Sequence, residues 1–184
     1  MTQGTGFSPL APQRCALLII DVQEKLMPVI YEANQTLGAV KTLARFAGIT
    51  GMKVLVTEQE KLGSTLEAVA CEVPGFTPIS KVTFSCFGSG AFCRAVDGLN
   101  VDTLVLAGVE SHICVAQTAL AARTRFDVHV VSDAVSSRAP SNKQVALDRL
   151  RASGVTITST EMFLYEVLGQ AGTPEFKKTL PLVK

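Results

Sequence analysis

With 184 residues, 47% of them hydrophobic and 18% charged, the chain is the size of one domain and has enough apolar material for a core, which excludes a natively disordered protein. Seventeen basic residues against sixteen acidic ones leave a formal charge of +1, so there is no basic field for nucleic acid and no polybasic stretch for a membrane surface. No apolar run approaches the roughly 20 residues of a membrane-spanning helix.

Residues 1–13 are polar and rich in Pro and Gly and read as a loose arm, with a single domain expected over 14–184. Cys15-Ala-Leu-Leu-Ile-Ile-Asp21 is continuously apolar and stops at an acid, as a buried strand would. Gln35 to Gly51 places Leu37, Val40, Leu43, Ala44 and Ala47 on one helical stripe, with Gly51 suited to end it. A second strand follows at Lys53–Thr57 and a weaker one at Pro78–Lys81, then a helix over Ser89–Gly98. Strand Thr103–Gly108 leads to an alanine-rich helix over His112–Phe126. Strand Val128–Ser132, helix Pro140–Ser153, strand Val155–Thr158 and a short helix from Ser159 to Leu168 complete the pattern. Unbroken apolar strands alternating with helices predict a doubly wound α/β domain, a parallel sheet with helices on both faces and right-handed crossovers.

In such sheets ligands bind beyond the carboxyl ends of the strands. An acid, a lysine and a cysteine stand at three of those ends: Asp21, Lys81 and Cys114. Each has an ordinary alternative. Asp21 could cap a turn, Lys81 could be a solvated cation, and Cys114 could be a small core residue. Together they suit nucleophilic catalysis, with Asp21 as base, Lys81 steadying the charges and Cys114 as nucleophile. A helix start near Cys114, together with Lys81, predicts that its thiol has the lowest pKa of the five cysteines. Cys15, Cys71, Cys86 and Cys93 lack that context and read as core residues. An odd cysteine count and no CxxC predict reduced thiols in a cytoplasmic setting.

His112 is two residues from Cys114, so the two side chains would not face each other on a helix; it reads as a structural or pocket-rim residue. His129 lies in an apolar strand and reads as a satisfied core histidine. No metal-ligand spacing and no phosphate-binding glycine motif is present, so neither metal nor cofactor is expected.

Over Arg14 to about Leu168 the chain resembles the isochorismatase-like cysteine hydrolases. The resemblance rests on Leu-Leu-Ile-Ile-Asp21-Val-Gln23, Lys81-Val-Thr-Phe-Ser85-Cys-Phe87 and Gly108-Val-Glu-Ser-His-Ile-Cys114-Val-Ala-Gln-Thr118. It is similar to the isochorismatase-domain-containing subgroup through Val56-Thr-Glu-Gln59, Val130-Val-Ser-Asp-Ala134 with Ser136-Ser-Arg138, and Thr160-Glu-Met162. The resemblance implies a six-stranded parallel sheet in a three-layer α/β/α fold and an Asp21–Lys81–Cys114 triad. It also implies a cis peptide at Val109–Glu110, with an oxyanion hole from the amides of Glu110 and Cys114. Metal-dependent nicotinamidases of this superfamily carry histidines after the second strand, where this chain has Thr57-Glu-Gln-Glu-Lys61. Isochorismatase itself lacks the cysteine. Acyl transfer on a small molecule is therefore implied, with amides preferred.

The expected pocket walls are Gln23, Phe84, Ser85 and Phe87, with Glu110 beside them. The high apolar content predicts a homo-oligomer. Two rival readings stand at this point: a catalytically silent scaffold, and a thiol redox sensor in which Cys86 resolves an oxidised Cys114.

Overall fold

The computed structural model describes residues 10–183. Six strands, β1 (Cys15–Ile20), β2 (Lys53–Gln59), β3 (Ile79–Lys81), β4 (Thr103–Val109), β5 (Asp127–Ser136) and β6 (Thr156–Thr158), form one sheet in the order β3-β2-β1-β4-β5-β6. Every pairing is parallel. The chain begins in the middle of the sheet, winds outward through β2 to β3, then returns to β4 on the other side of β1. The reversal between β1 and β4 opens a crevice at their carboxyl ends, as doubly wound sheets do.

Among the described residues the helices are α1 (Ala33–Thr50), α2 (Glu67–Ala70), α3 (Gly90–Asp97), α4 (Ala116–Ala122), α5 (Pro140–Ala152), α6 (Thr160–Leu168) and α7 (Pro174–Thr179). The β1 side chains alternate between two cores. Cys15, Leu17 and Ile19 pack with Val40, Leu43 and Phe46 of α1 and Phe163 of α6. Ala16, Leu18 and Ile20 pack with Phe92 of α3, Ala119 of α4 and Leu150 of α5. Both faces of the sheet are thus covered, which is why the strand reads as unbroken apolar sequence. The expected three layers are present.

Three local differences from the sequence expectation have physical causes. Strand β5 runs four residues beyond Ser132, to Ser136. Between two of its pairings β4 advances from Leu106 to Gly108 while β5 advances from Val130 to Val135, so Ser132 and Asp133 lie in a bulge. Their polarity interrupts the apolar run, and Asp133 Oδ1 accepts from the Thr160 amide at 2.8 Å at the start of α6. The long helix expected from His112 is split into a π turn, Ser111–Val115, followed by α4. Of the arm expected over 1–13, residues 1–9 lie outside the described residues, Leu10 packs against the core and Pro12–Arg14 form a 3-10 turn into β1.

Gly108 fixes how closely β4 approaches β1. Its φ is +110°, and a Cβ there would lie 2.1 Å from the Ile20 carbonyl oxygen. Only glycine fits. The Val109–Glu110 peptide that follows is cis, as expected.

Candidate active site

Asp21 follows β1 with φ +54° and is fully buried. Its amide donates to the Thr57 carbonyl at 3.1 Å, which carries the β1–β2 ladder one residue past the strand. Its carboxylate accepts from Thr57 Oγ1 at 2.8 Å through Oδ1 and from Lys81 Nζ at 2.7 Å through Oδ2. Lys81 ends β3, with its side chain inaccessible to solvent. An ammonium has three protons, and this one has three acceptors: Asp21 Oδ2, Gln59 Oε1 at 2.8 Å and Cys114 Sγ at 3.7 Å. A buried cation is tolerable only when so satisfied.

Cys114 is fourth in the π turn, is 7% exposed and borders a cavity of about 210 Å³. Asp21, Gln59 and Glu110 supply the other polar walls; Leu26, Leu62, Phe84 and Ile113 supply the apolar ones. Burial pushes the thiol up to about 12, and the neighbouring Asp21 charge adds to this; Lys81 opposes both without prevailing. The expectation that Cys114 would be the most acidic cysteine is therefore corrected. Cys15 and Cys86, pushed up by burial to about 11, are raised less. Desolvation of the sulfur and the anion held beside it outweigh whatever the start of the helix contributes.

Of the expected pocket residues, Phe84 and Glu110 line the cavity and Gln23, Ser85 and Phe87 do not. The Gln23 amide is fully buried and engaged: Nε2 donates to the carbonyls of Gln59 at 3.0 Å and Gly63 at 2.6 Å, and Oε1 accepts from the Gln59 amide at 2.9 Å. It fastens the segment after β2 and so positions Gln59 under Lys81. Phe87 turns into the core, edge-on to Phe92 with centroids 5.1 Å apart. Ser85 caps nothing with its hydroxyl, which is buried without a partner among the described residues; its carbonyl accepts from Thr83 Oγ1 at 2.8 Å.

Thr57 and Gln59 belong to the site without standing out in the sequence. They occupy alternate positions near the end of β2, beside a carboxylate and a lysine that both need partners, and that pairing need is the signal that could have found them. Leu26, Leu62 and Ile113 come from loops and the π turn, where no periodicity marks them. His112 stays at the periphery, with Nδ1 3.0 Å from Ser137 Oγ. His129 is only half satisfied: Nε2 lies 3.2 Å from Asp127 Oδ2 and Nδ1 has no partner among the described residues. Cys71, expected in the core, is exposed.

Among the described residues no three His, Cys, Asp or Glu side chains cluster as a metal would require. Glu58, next to Thr57, is occupied by the Thr65 amide and hydroxyl at 2.7 and 2.8 Å. A larger hollow, about 290 Å³, lies by Pro12, Thr50, Val167 and Glu175, outside the strand-end crevice, and no cysteine, lysine or histidine lines it.

The isochorismatase domain model matches residues 15–162. The chain is 33% identical to the secreted isochorismatase effector Isc1 of Phytophthora sojae over 95% of its length and 87% of that protein's. It is 32% identical to isochorismatase domain-containing protein 2A of Mus musculus, covering 95% of this chain and 85% of the relative. Among solved structures, the MAR1 ribonuclease of Caenorhabditis elegans superposes with a TM-score of 0.89 at 29% identity, covering 96% of this chain and 92% of that one. With the sheet order and the strand-end motifs in agreement with that match, the chain belongs to the isochorismatase domain family.

Proposed function

We propose that the protein is a cysteine-dependent hydrolase of a small molecule, acting on amides through a thioester. The observation that carries this reading is the fully buried Lys81 ammonium, which donates to both Asp21 and Cys114 where the sulfur meets a cavity. A cavity of about 210 Å³ lies below the roughly 300–1,000 Å³ of pockets for drug-sized ligands, which supports a small acyl group.

The raised thiol pKa sets the order of events. At rest the sulfur keeps its proton, and Asp21 is the neighbouring carboxylate that can take it. As the sulfur attacks the carbonyl carbon, the proton passes to Asp21 and the Lys81 ammonium stabilises the sulfur's developing charge. The amides of Glu110 and Cys114 hold the oxyanion. Collapse breaks the C–N bond, Asp21 returns the proton to the departing amine and the acyl group stays on sulfur. Water, deprotonated by Asp21, then cleaves the thioester, releasing the acid and restoring the thiol.

The test is ammonia release from a panel of short primary amides by the wild-type protein and by Cys114→Ala. The reading expects release that depends on Cys114, with an acyl adduct on that residue by mass spectrometry when an activated ester of the same acid is supplied. Release that persists in Cys114→Ala would overturn it.

We also propose self-association. Val145 on α5 and Met162 and Tyr165 on α6 are exposed large apolar residues on helices that cover opposite faces of the sheet, and neighbouring copies would cover them. A monomer in sedimentation at working concentration would refute this.

A further inference from the structure

The cavity beside Cys114 has an asymmetry in charge. Lys81, the cation nearest the sulfur, has all three protons engaged, and Asp21 has both carboxylate oxygens engaged. Gln59 gives Oε1 to Lys81 and donates Nε2 to the Val82 carbonyl at 2.8 Å. Glu110 differs. Its Oε2 accepts from both the Arg138 amide, at 2.9 Å, and Arg138 Nε, at 3.2 Å, while Oε1 has no partner among the described residues. The Glu110 side chain is only 6% exposed, whereas that of Arg138 is 59% exposed and lies outside the cavity lining. A carboxylate in an apolar pocket acts at low dielectric, while its solvated counter-ion screens it incompletely.

We infer that Glu110 is a specificity-determining residue that selects neutral or cationic substrates bearing an N–H donor and excludes carboxylates. The inference rests on the hydrolase reading and names its substrate class: small amides of apolar body, uncharged or carrying an amine. A substrate N–H would complete Glu110 Oε1, which no donor among the described residues satisfies. An anionic substrate would meet Glu110 with no free cation among the residues lining the cavity to neutralise it, and specificity of this kind comes as much from the repulsive partner as from the attractive one. The Arg138 contact gives Glu110 its orientation and leaves one oxygen for the ligand.

The experiment reads the potential at the sulfur without relying on turnover. Cys114 is labelled with 2-aminoethyl methanethiosulfonate and with 2-sulfonatoethyl methanethiosulfonate, and the two rates are taken by peptide mass spectrometry. Their ratio cancels the thiolate fraction, and the exposed Cys71 on the same chain gives the reference ratio. The wild-type protein should favour the cation at Cys114 by at least about tenfold over the Cys71 ratio, as about one unit charge acting across a small pocket would. Glu110→Gln should bring Cys114 close to the Cys71 ratio, and Arg138→Ala should raise the preference further. Equal ratios at Cys114 in wild type and Glu110→Gln would overturn the inference, as would an unchanged ratio in Arg138→Ala should the first variant fail to fold. Hexanamide, 6-aminohexanamide and the monoamide of adipic acid supply the second arm. No turnover of any of the three by the wild-type protein, with the labelling ratios as expected, would count against the hydrolase reading alone. Turnover led by the adipic monoamide would count against the selectivity alone.

Discussion

Lys81 Nζ and Asp21 Oδ2 are 2.7 Å apart, and neither side chain has any solvent exposure. Removing one member of such a pair leaves a buried, uncompensated charge. Lys81→Met should destabilise the fold by about 3–5 kcal/mol, the usual loss when one partner of a buried pair is removed. The double variant Asp21→Asn/Lys81→Met should lose clearly less than the sum of the two single losses, because no charge is stranded. Urea denaturation of the four proteins checks this; additivity would show that the two charges are not coupled.

Gly108 makes a separate prediction about the frame of the site. A Cβ at 2.1 Å from the Ile20 carbonyl oxygen has nowhere to go, since both atoms belong to paired central strands. Gly108→Ala should cost about 3 kcal/mol or more, the upper range for overpacking, compounded by the positive φ. Gly51→Ala, also at positive φ but with open space around it, should cost less. Melting temperatures of the two variants compare the effects directly.

Most of the frame is legible in the sequence because the sheet is buried on both faces. An unbroken apolar run such as Ala16 to Ile20 fits a strand covered on both sides, and the polar residue that follows it marks the carboxyl end. That is why Asp21, Lys81 and Cys114 stand out along the chain, and the structure brings Asp21 and Cys114 together on Lys81 Nζ. What escapes such a reading depends on distances across loops. Gln23 and Gln59 look alike in sequence, yet one clamps backbone and the other faces the cavity and supports the lysine. The π turn at Ser111–Val115 has no sequence signature separate from that of a helix. The high thiol pKa of Cys114 follows from burial and from the anion of Asp21, which is distant in sequence, and neither is visible along the chain.

The raised thiols link stability to alkaline pH. Cys114, Cys15 and Cys86 are all raised above the ordinary thiol value of 9.0 in the folded protein, so the native state holds those protons more tightly than the unfolded chain does. Stability from this source is complete below about pH 9 and is lost as pH rises toward the folded values of about 11 to 12. The melting temperature should therefore fall between about pH 9 and 11 for reasons that include these thiols. Cys114→Ala should fall less steeply than wild type over the same interval. Parallel curves for the two proteins would remove Cys114 from the linkage.

Chelation should leave activity intact. Glu58, the acid nearest the site on β2, is tied to Thr65, and no cluster of potential ligands occurs among the described residues. Ammonia release measured after dialysis against EDTA should match the untreated protein. Loss restored by added zinc would show that a metal completes the site.

Asp21→Asn separates two quantities that usually move together. Asn keeps the shape of the side chain and can still accept from Lys81 or Thr57, but it cannot take the thiol proton. Turnover should fall by roughly 10²–10⁴, the usual worth of a positioned general base. The same substitution removes the anion that helps hold the Cys114 thiol above its ordinary value, and it leaves the Lys81 ammonium facing the sulfur unopposed. The thiol pKa should therefore drop, and iodoacetamide should alkylate Cys114 faster at mildly alkaline pH than in the wild-type protein, with the exposed Cys71 as an unchanged reference. A turn-capping role for Asp21 predicts neither effect, only a loss of about 1 kcal/mol in stability. A faster-reacting cysteine in a slower enzyme is the signature of a base whose charge both restrains the resting thiol and receives its proton. Slower alkylation together with slower turnover would mean that Asp21 promotes the resting thiolate, and the order of proton transfer proposed for the reaction would have to be reversed.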